Sequence, residues 1–168
     1  MEPAIVERRQ MTLLGFSFFG DPFASSGGWT EENEIGRLWK RFMAYFVNHR
    51  HRIKHVVADD VMYEVCVEHE ETARTGEFEV FVGLEVERLE DVPVELSVKI
   101  LPPTTYAVFT LRGQQIVSDW HKLIYDEWMS GSGYRKAYAY DVQRYDERFK
   151  GVQRIEESIL DVCVPVRR

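Results

Sequence analysis

The stretch FEVFVGLEVERL, residues 78–89, indicates its secondary structure more clearly than any other part of the sequence. An apolar side chain stands at every second position, as in a β-strand with one buried face: Phe78, Val80, Val82, Leu84 and Val86. The positions between them form the second face: Glu79, Phe81, Gly83, Glu85 and Glu87. Phe81 and Gly83 are unusual on a face in water, because one exposes a ring and the other has no side chain to pack. The second face is therefore either an irregular wetted surface or the floor of a site that combines a ring, an open space and a carboxylate.

The composition is typical of one globular domain. The chain has 168 residues, 45% of them hydrophobic, which is enough for a sizeable core. A formal net charge of −7 disfavours a nucleic-acid surface and favours the attraction of cations. No apolar run resembles a signal peptide or the roughly 20 residues of a membrane span, so we expect a cytoplasmic protein without membrane contact. Cys66 and Cys163 match no metal or redox spacing and are interpreted as reduced, packed thiols.

The first part of the chain predicts the order strand, helix, strand, strand. Residues 11–20 form an apolar stretch, and Thr30 can cap a helix from about residue 31 to 49. The apolar residues of that helix recur at spacings of three and four: Ile35, Leu38, Trp39, Phe42, Met43, Phe46 and Val47. Two strands follow, at about 61–69 and 78–89.

The same order is predicted again after residue 95. TTYAVFTL at 104–111 is typical of a strand, a helix is predicted over about 114–129 before the glycine-rich SGSG, and two strands close the chain. MYEVCVEHE at 62–70 and AYDVQRYDE at 139–147 align without gaps. We therefore predict an α+β fold built from a duplicated β-α-β-β repeat with antiparallel sheets. Its two pseudo-symmetric halves, about 5–90 and 96–168, form one domain over residues 1–168, with a ligand cleft between them.

Six segments resemble, in order and spacing, the gyrase-inhibitor-like (GyrI-like) effector-binding domains. They are YEVCV at 63–67, FEVFVGLEV at 78–86, EDVP at 90–93, PPTTYAVFTLRG at 102–113, IYDEWMSGSGY at 124–134 and QRYDERF at 143–149. Such domains often follow the helix-turn-helix regions of AraC- and MerR-type transcription regulators. The resemblance covers nearly the whole chain. It implies the duplicated fold and a central cleft, lined by aromatic side chains and one or more glutamates, that binds lipophilic organic cations in several members.

The resemblance leaves three functional hypotheses open. The first is a stand-alone binding protein for lipophilic, cationic small molecules, since only about 10 residues precede the first predicted strand and a helix-turn-helix needs two helices. The second is a hydrolase of strained or electrophilic small molecules, and the third is a gyrase-inhibitor-like module that binds a protein. The position usually held by a glutamate in this family is Gln143, which can donate and accept hydrogen bonds but cannot act as a general base. This departure favours binding over hydrolysis.

Glu85 is the leading candidate for the counter-charge to such a cation. It follows Phe81 and Gly83 on the second face of the strand, where a ring and a carboxylate together attract a cation. Glu79 and Glu87, nearer the strand ends, are interpreted as solvated. Gln143 is expected to supply a neutral hydrogen bond. The remaining candidate ligand-binding residues are aromatic: Tyr63, Trp128 and Tyr134.

Successive side chains of a strand point to opposite faces, so these candidate residues cannot all line one cleft. Tyr63 and Tyr140 alternate with Glu64 and Asp141, so either the tyrosines or the pair Cys66 and Gln143 can face a cleft, but not both. We favour Gln143, with Tyr63 at the rim. No metal or cofactor is expected, because the histidines of the NHRHRIKH run lie among arginines and lysine, and no Ser-His-Asp arrangement or P-loop is present.

Overall fold

The computed structural model describes residues 1–168 and has an α+β fold: one nine-stranded antiparallel sheet with few helices. The strands are β1 (Ala4–Arg8), β2 (Met11–Gly20), β3 (Met62–Val67), β4 (Phe78–Val86), β5 (Ser97–Leu101), β6 (Thr104–Arg112), β7 (Arg135–Lys136), β8 (Tyr140–Tyr145) and β9 (Ile159–Arg167). The helices are α1 (Glu34–His49), the single turn α2 (Thr72–Thr75), and a π-helix, Lys122–Trp128, that continues as α3 (Met129–Ser132). No helix is both long and apolar enough to cross a membrane.

The sheet curls back on itself. Its strand order is β1-β6-β9-β8-β3-β4-β2-β5, so a flat sheet would place β1 and β2 about 29 Å apart at roughly 4.8 Å per strand. Only residues 9 and 10 connect them, and three Cα steps span at most about 11 Å. The pairing also continues across this connection, because Arg8 pairs with Thr104 and Met11 with Leu101. The two ends of the sheet therefore meet, as in a barrel.

A curled sheet has an inner and an outer face, and both carry a buried apolar cluster. The outer cluster packs beneath α1 and the π-helix. It includes Leu38, Phe42, Val82, Phe109 and Ile124. The inner cluster contains Leu13, Tyr63, Val65, Phe81, Leu101, Tyr106, Val142 and Cys163, with others. Phe81 has no exposed surface. Its place in the sequence is therefore explained by a second core, not by a wetted surface.

Gly83 marks a close approach between two strands and not an open space. It pairs with Gly15 on β2, and a Cβ added to Gly83 would lie 2.2 Å from the carbonyl oxygen of Leu14. A Cβ at Gly15 would lie 1.9 Å from the carbonyl oxygen of Val82. Both positions exclude a side chain because the neighbouring backbone occupies the space.

The predicted helices are confirmed in part. The first begins at Glu34, because Asn33 and not Thr30 is the N-cap, accepting a 2.9 Å hydrogen bond from the Gly36 N–H. The second was predicted over about 114–129, but residues 113–115 form a 3₁₀ turn and the π-helix starts only at Lys122. The helical residues begin directly after Asp119, whose side chain accepts a 3.3 Å hydrogen bond from the Lys122 N–H, as an N-cap residue does. The strands β1, β5 and β7 were not predicted.

Candidate functional site

The candidate site lies on the outer face of the sheet, where β3 pairs with β8. Glu64 lies directly opposite Gln143, and Cys66 lies opposite Asp141. Glu64 also pairs with Val82, a member of the outer cluster, so Glu64 and Gln143 share the face that the helices cover. On the strand order, β3 and β8 are the central pair, with α1 contacting β2 and β4 on one side.

Glu64 is buried, with 5% of its surface exposed, and three neutral groups donate to its carboxylate. Trp39 Nε1 donates to Oε2 at 2.6 Å, while Gln143 Nε2 and Cys66 Sγ donate to Oε1 at 3.3 and 3.7 Å. Tyr145 Oη donates in turn to Gln143 Oε1 at 2.8 Å. Every contact made by the Glu64 carboxyl is one that an ionised carboxylate accepts.

No lysine, arginine or histidine pairs with Glu64. The pKa of its carboxyl is raised, mainly because burial disfavours the charged form. The hydrogen bonds from Trp39 and Cys66 act in the other direction and lower the pKa. A buried carboxylate without a cation is costly in a folded protein. When this carboxyl is ionised, no cation of the chain neutralises its charge.

Asp141, on β8, is a second buried acid on this face, with 7% of its surface exposed. Tyr125 Oη donates to Asp141 Oδ2 at 3.4 Å, and His121 Nε2 lies 4.0 Å from the same oxygen. The other oxygen, Oδ1, is buried and has no hydrogen-bond partner. Burial raises the pKa of Asp141 to about 7; the nearby Lys136 opposes this and the charge of Glu64 adds to it.

Aromatic side chains pack beside Glu64, and exposed apolar side chains follow along α1. The Trp39 and Tyr145 rings meet edge to face at 4.8 Å between centroids, and Phe149 packs on Tyr145 at 4.9 Å. Met43 and Val47 follow Trp39 at intervals of four along α1, and they stay 38% and 75% exposed. Because residues four apart lie on the same side of a helix, these three form an apolar ridge that begins at the Glu64 hydrogen bond.

The sequence-predicted site residues do not come together at one place. Glu85, Phe81, Gly83 and Tyr63 lie on the inner face, since Val65 of the inner cluster pairs with Phe81 and Tyr63 pairs with Gly83. Gln143 lies on the outer face, opposite Glu64. The prediction that Glu85 and Gln143 share a cleft is therefore wrong, because the sheet separates them.

Glu85 also differs from Glu64 in its charged neighbours. Burial raises the pKa of the Glu85 carboxyl, while Arg8, Tyr63 and Arg144 lower it in opposition. Two of these neighbours are cations of the chain itself. Glu79, expected to be solvated, forms an ion pair with Lys99.

Trp128 and Tyr134 lie together in a different place. Their rings stack at 5.8 Å between centroids, and Trp128 meets Phe109 of the outer cluster edge to face. They line a groove of about 510 Å³ beside Ile5 of β1. Glu64, Asp141 and Gln143 do not line this groove.

Sequence reasoning missed Glu64, Asp141 and Trp39 as site residues. A usable signal was present: each of the two acids stands within a short apolar strand, and the two strands align with one another. The face that carries Gln143 was favoured for the cleft. Once β3 and β8 are paired, Cys66 and Glu64 lie on that same face.

Comparison with known proteins places the chain in a class of ligand-binding domains. Residues 4–166 match the family described as Cass2, integron-associated effector binding protein. The chain therefore belongs to this effector-binding family, and the predicted GyrI-like relationship is confirmed. No curated protein matches the chain.

Solved structures share the fold at low sequence identity. SAV2435 bound to tetraphenylphosphonium has a TM-score of 0.70 and 16% identity, over 99% of this chain and 94% of that one. The integron cassette protein VCH_CASS2 of Vibrio cholerae has a TM-score of 0.62 and 17% identity, over 99% and 96%. EcmrR, in a complex with DNA, has a TM-score of 0.70 and 12% identity, over 99% of this chain and 57% of that one.

Proposed function

We propose that this protein binds lipophilic organic cations on the outer face of the sheet, with Glu64 as the counter-charge. The observation that carries the proposal is the Glu64 carboxylate, which is buried among neutral donors without any cation of the chain. A bound cation would supply the missing charge and so stabilise the folded protein. Gln143, predicted to hydrogen-bond the ligand, is given a different role in this proposal: its side chain donates to Glu64 and orients the carboxylate.

The surroundings of Glu64 support a lipophilic ligand. The ring faces of Trp39 and Tyr145 attract a cation by about 0.5–2 kcal/mol each. The exposed ridge of Met43 and Val47 offers apolar surface to the rest of the ligand. The structural neighbour SAV2435, bound to tetraphenylphosphonium, supports this ligand class by likeness of fold.

We also propose that the chain forms one domain of two pseudo-symmetric halves, about 5–90 and 96–168, with this site at their junction. The strand order supports the division, because the boundary between β3 and β8 separates two runs of neighbouring strands. The first half supplies β3, β4 and β2, and the second half supplies β8, β9 and β6. A site at a junction between halves is a common place for small ligands.

The test compares two matched variants, Glu64→Gln and Glu85→Gln, with a cation and a neutral compound of similar shape. Binding of tetraphenylphosphonium and of triphenylphosphine oxide is measured by quenching of tryptophan fluorescence and by calorimetry. Glu64→Gln is expected to weaken binding of the cation at least tenfold and that of the neutral compound less than twofold. Glu85→Gln is expected to leave both affinities within about twofold.

Two outcomes contradict the proposal. Equal losses for both compounds in Glu64→Gln mean that the carboxylate does not act through its charge. A larger loss in Glu85→Gln than in Glu64→Gln moves the cation site to the inner face of the sheet.

A further inference from the structure

Glu64 and Asp141 differ in the hydrogen bonds that their oxygens still lack. Both oxygens of Glu64 already accept from the chain, through Trp39, Gln143 and Cys66. Asp141 Oδ2 accepts one long hydrogen bond, from Tyr125, and Oδ1 accepts none. A buried acceptor without a donor destabilises the folded state, so it is rare unless a partner completes it.

Asp141 is close enough to Glu64 for one ligand to meet both. Gln143 lies opposite Glu64, and Asp141 precedes Gln143 by two positions on the same face. Diagonal neighbours of this kind are separated by about 7–8 Å. A ligand that meets Glu64 therefore has to extend about 7–8 Å along the sheet to reach Asp141.

Two side chains, His121 and Tyr125, lie beside the Asp141 carboxyl group, both at Oδ2. The His121 side chain is 57% exposed, and the Tyr125 hydroxyl is tied to Asp141 only by its 3.4 Å hydrogen bond. Lys136 Nζ lies 4.2 Å from the centre of the Tyr125 ring and is paired with Glu68. His121 is exposed and Tyr125 is partly buried, so the side of Asp141 next to His121 is the side nearest to solvent.

We propose that this site selects organic cations that carry N–H groups, such as protonated amines, amidines and guanidines, and that Asp141 Oδ1 accepts the N–H of the ligand. This inference rests on the proposed function. Quaternary ammonium and phosphonium cations have the same charge but no N–H, so they satisfy Glu64 electrostatically and leave Asp141 Oδ1 without a donor. Glu64 supplies charge attraction to both kinds of ligand, and Asp141 distinguishes between them.

The test uses three compounds with one aromatic body: 4-phenylbenzylammonium, its N,N,N-trimethyl analogue and the neutral 4-phenylbenzyl methyl ether. Dissociation constants are measured by calorimetry at pH 8 for the wild type and for Asp141→Asn. In the wild type the ammonium compound is expected to bind at least tenfold more tightly than the trimethyl compound, although the added methyl groups favour the latter by burying more apolar area. In Asp141→Asn this ratio is expected to fall to about threefold or less.

The outcomes separate the two proposals. If both cations bind equally and each binds more tightly than the ether, the N–H selectivity is wrong and the cation site stands. If the ether binds as tightly as the cations, or nothing binds, the proposed function fails and the selectivity fails with it. A tenfold preference that survives Asp141→Asn overturns the assignment to Asp141. The wild-type comparison decides the selectivity even if the variant does not fold.

Discussion

Asp141 makes the stability of this protein depend on pH in a direction opposite to that of most carboxylates. Burial raises its pKa from 3.8 to about 7, so the folded state holds a proton that the unfolded chain has already released. The stability preserved by protonated Asp141 is therefore complete below about pH 4 and is lost as the pH rises through about 7. At 1.36 kcal/mol per pH unit, this pKa difference corresponds to up to about 4 kcal/mol.

Replacing Asp141 with asparagine removes this pH dependence. We expect Asp141→Asn to unfold at higher urea concentration than the wild type at pH 8, by a free energy of roughly 2–4 kcal/mol, and to match it within about 1 kcal/mol at pH 4. Urea denaturation of both proteins across this range measures the difference. An equal stability change at the two pH values would show that the substitution acts through packing and not through charge.

Asp146 provides a matched control of opposite sign. Hydrogen bonds from the Arg148 guanidinium hold the pKa of Asp146 down to about 2, so its contribution is present above pH 4 and is lost as the pH falls through about 2. Asp146→Asn should therefore destabilise the protein at pH 8, by about 1–3 kcal/mol, where Asp141→Asn stabilises it.

At the scale of the elements, β4 shows which features of the fold the sequence predicts and which it does not. Alternation predicted a strand over residues 78–89, and the structure has one over 78–86 with the two predicted sets of residues on its faces. It could not predict what each face meets, because the sheet curls and buries apolar side chains on both sides. Glu85 was chosen on the expectation that one face of β4 would be a cleft, and the choice failed to anticipate the inner core around Phe81.

The missed strands have a related cause. β1 and β5 contain charged or exposed residues such as Glu7 and Lys99, and each is only five residues long. Their pairing depends on the distant closure between Arg8 and Thr104 and between Met11 and Leu101, which local patterns do not contain. The same closure decides which acid is isolated from the cations of the chain, so Glu64 could not be preferred over Glu85 before the fold was known.

The contact between β2 and β4 yields a prediction about glycine. Gly83→Ala places a methyl group 2.2 Å from the Leu14 carbonyl oxygen, so the two strands must separate, and we expect a loss of at least 2 kcal/mol in the free energy of unfolding. Gly131→Ala is the control, because no atom lies within 4 Å of the added Cβ and the residue is in α3. That control should be neutral or slightly stabilising. Equal stability of the two variants in urea denaturation would contradict the close approach at Gly83.

At the scale of the whole molecule, the curled sheet joins the two proposed halves more tightly than a shared cleft would. The inner cluster takes Leu13, Val65 and Phe81 from residues before 95, and Tyr106, Val142 and Cys163 from residues after it. The β3–β8 ladder pairs six residues of each strand, from Met62 with Tyr145 to Val67 with Tyr140. Neither half can unfold without exposing apolar surface of the other, which is the condition for a single cooperative transition.

The chain should therefore melt in one calorimetric transition whose van't Hoff and calorimetric enthalpies agree. A cation that binds at the β3–β8 pair contacts both halves, so it should move that one transition upward without splitting it. At a ligand concentration of 100 times the dissociation constant, the added stability is about 2.7 kcal/mol, which shifts Tm by roughly 5–11 °C for a chain of this length. Glu64→Gln should abolish the shift with tetraphenylphosphonium while leaving the transition single. Two transitions, or a ligand that moves only one of them, would mean that the halves fold separately and that the site belongs to one half alone.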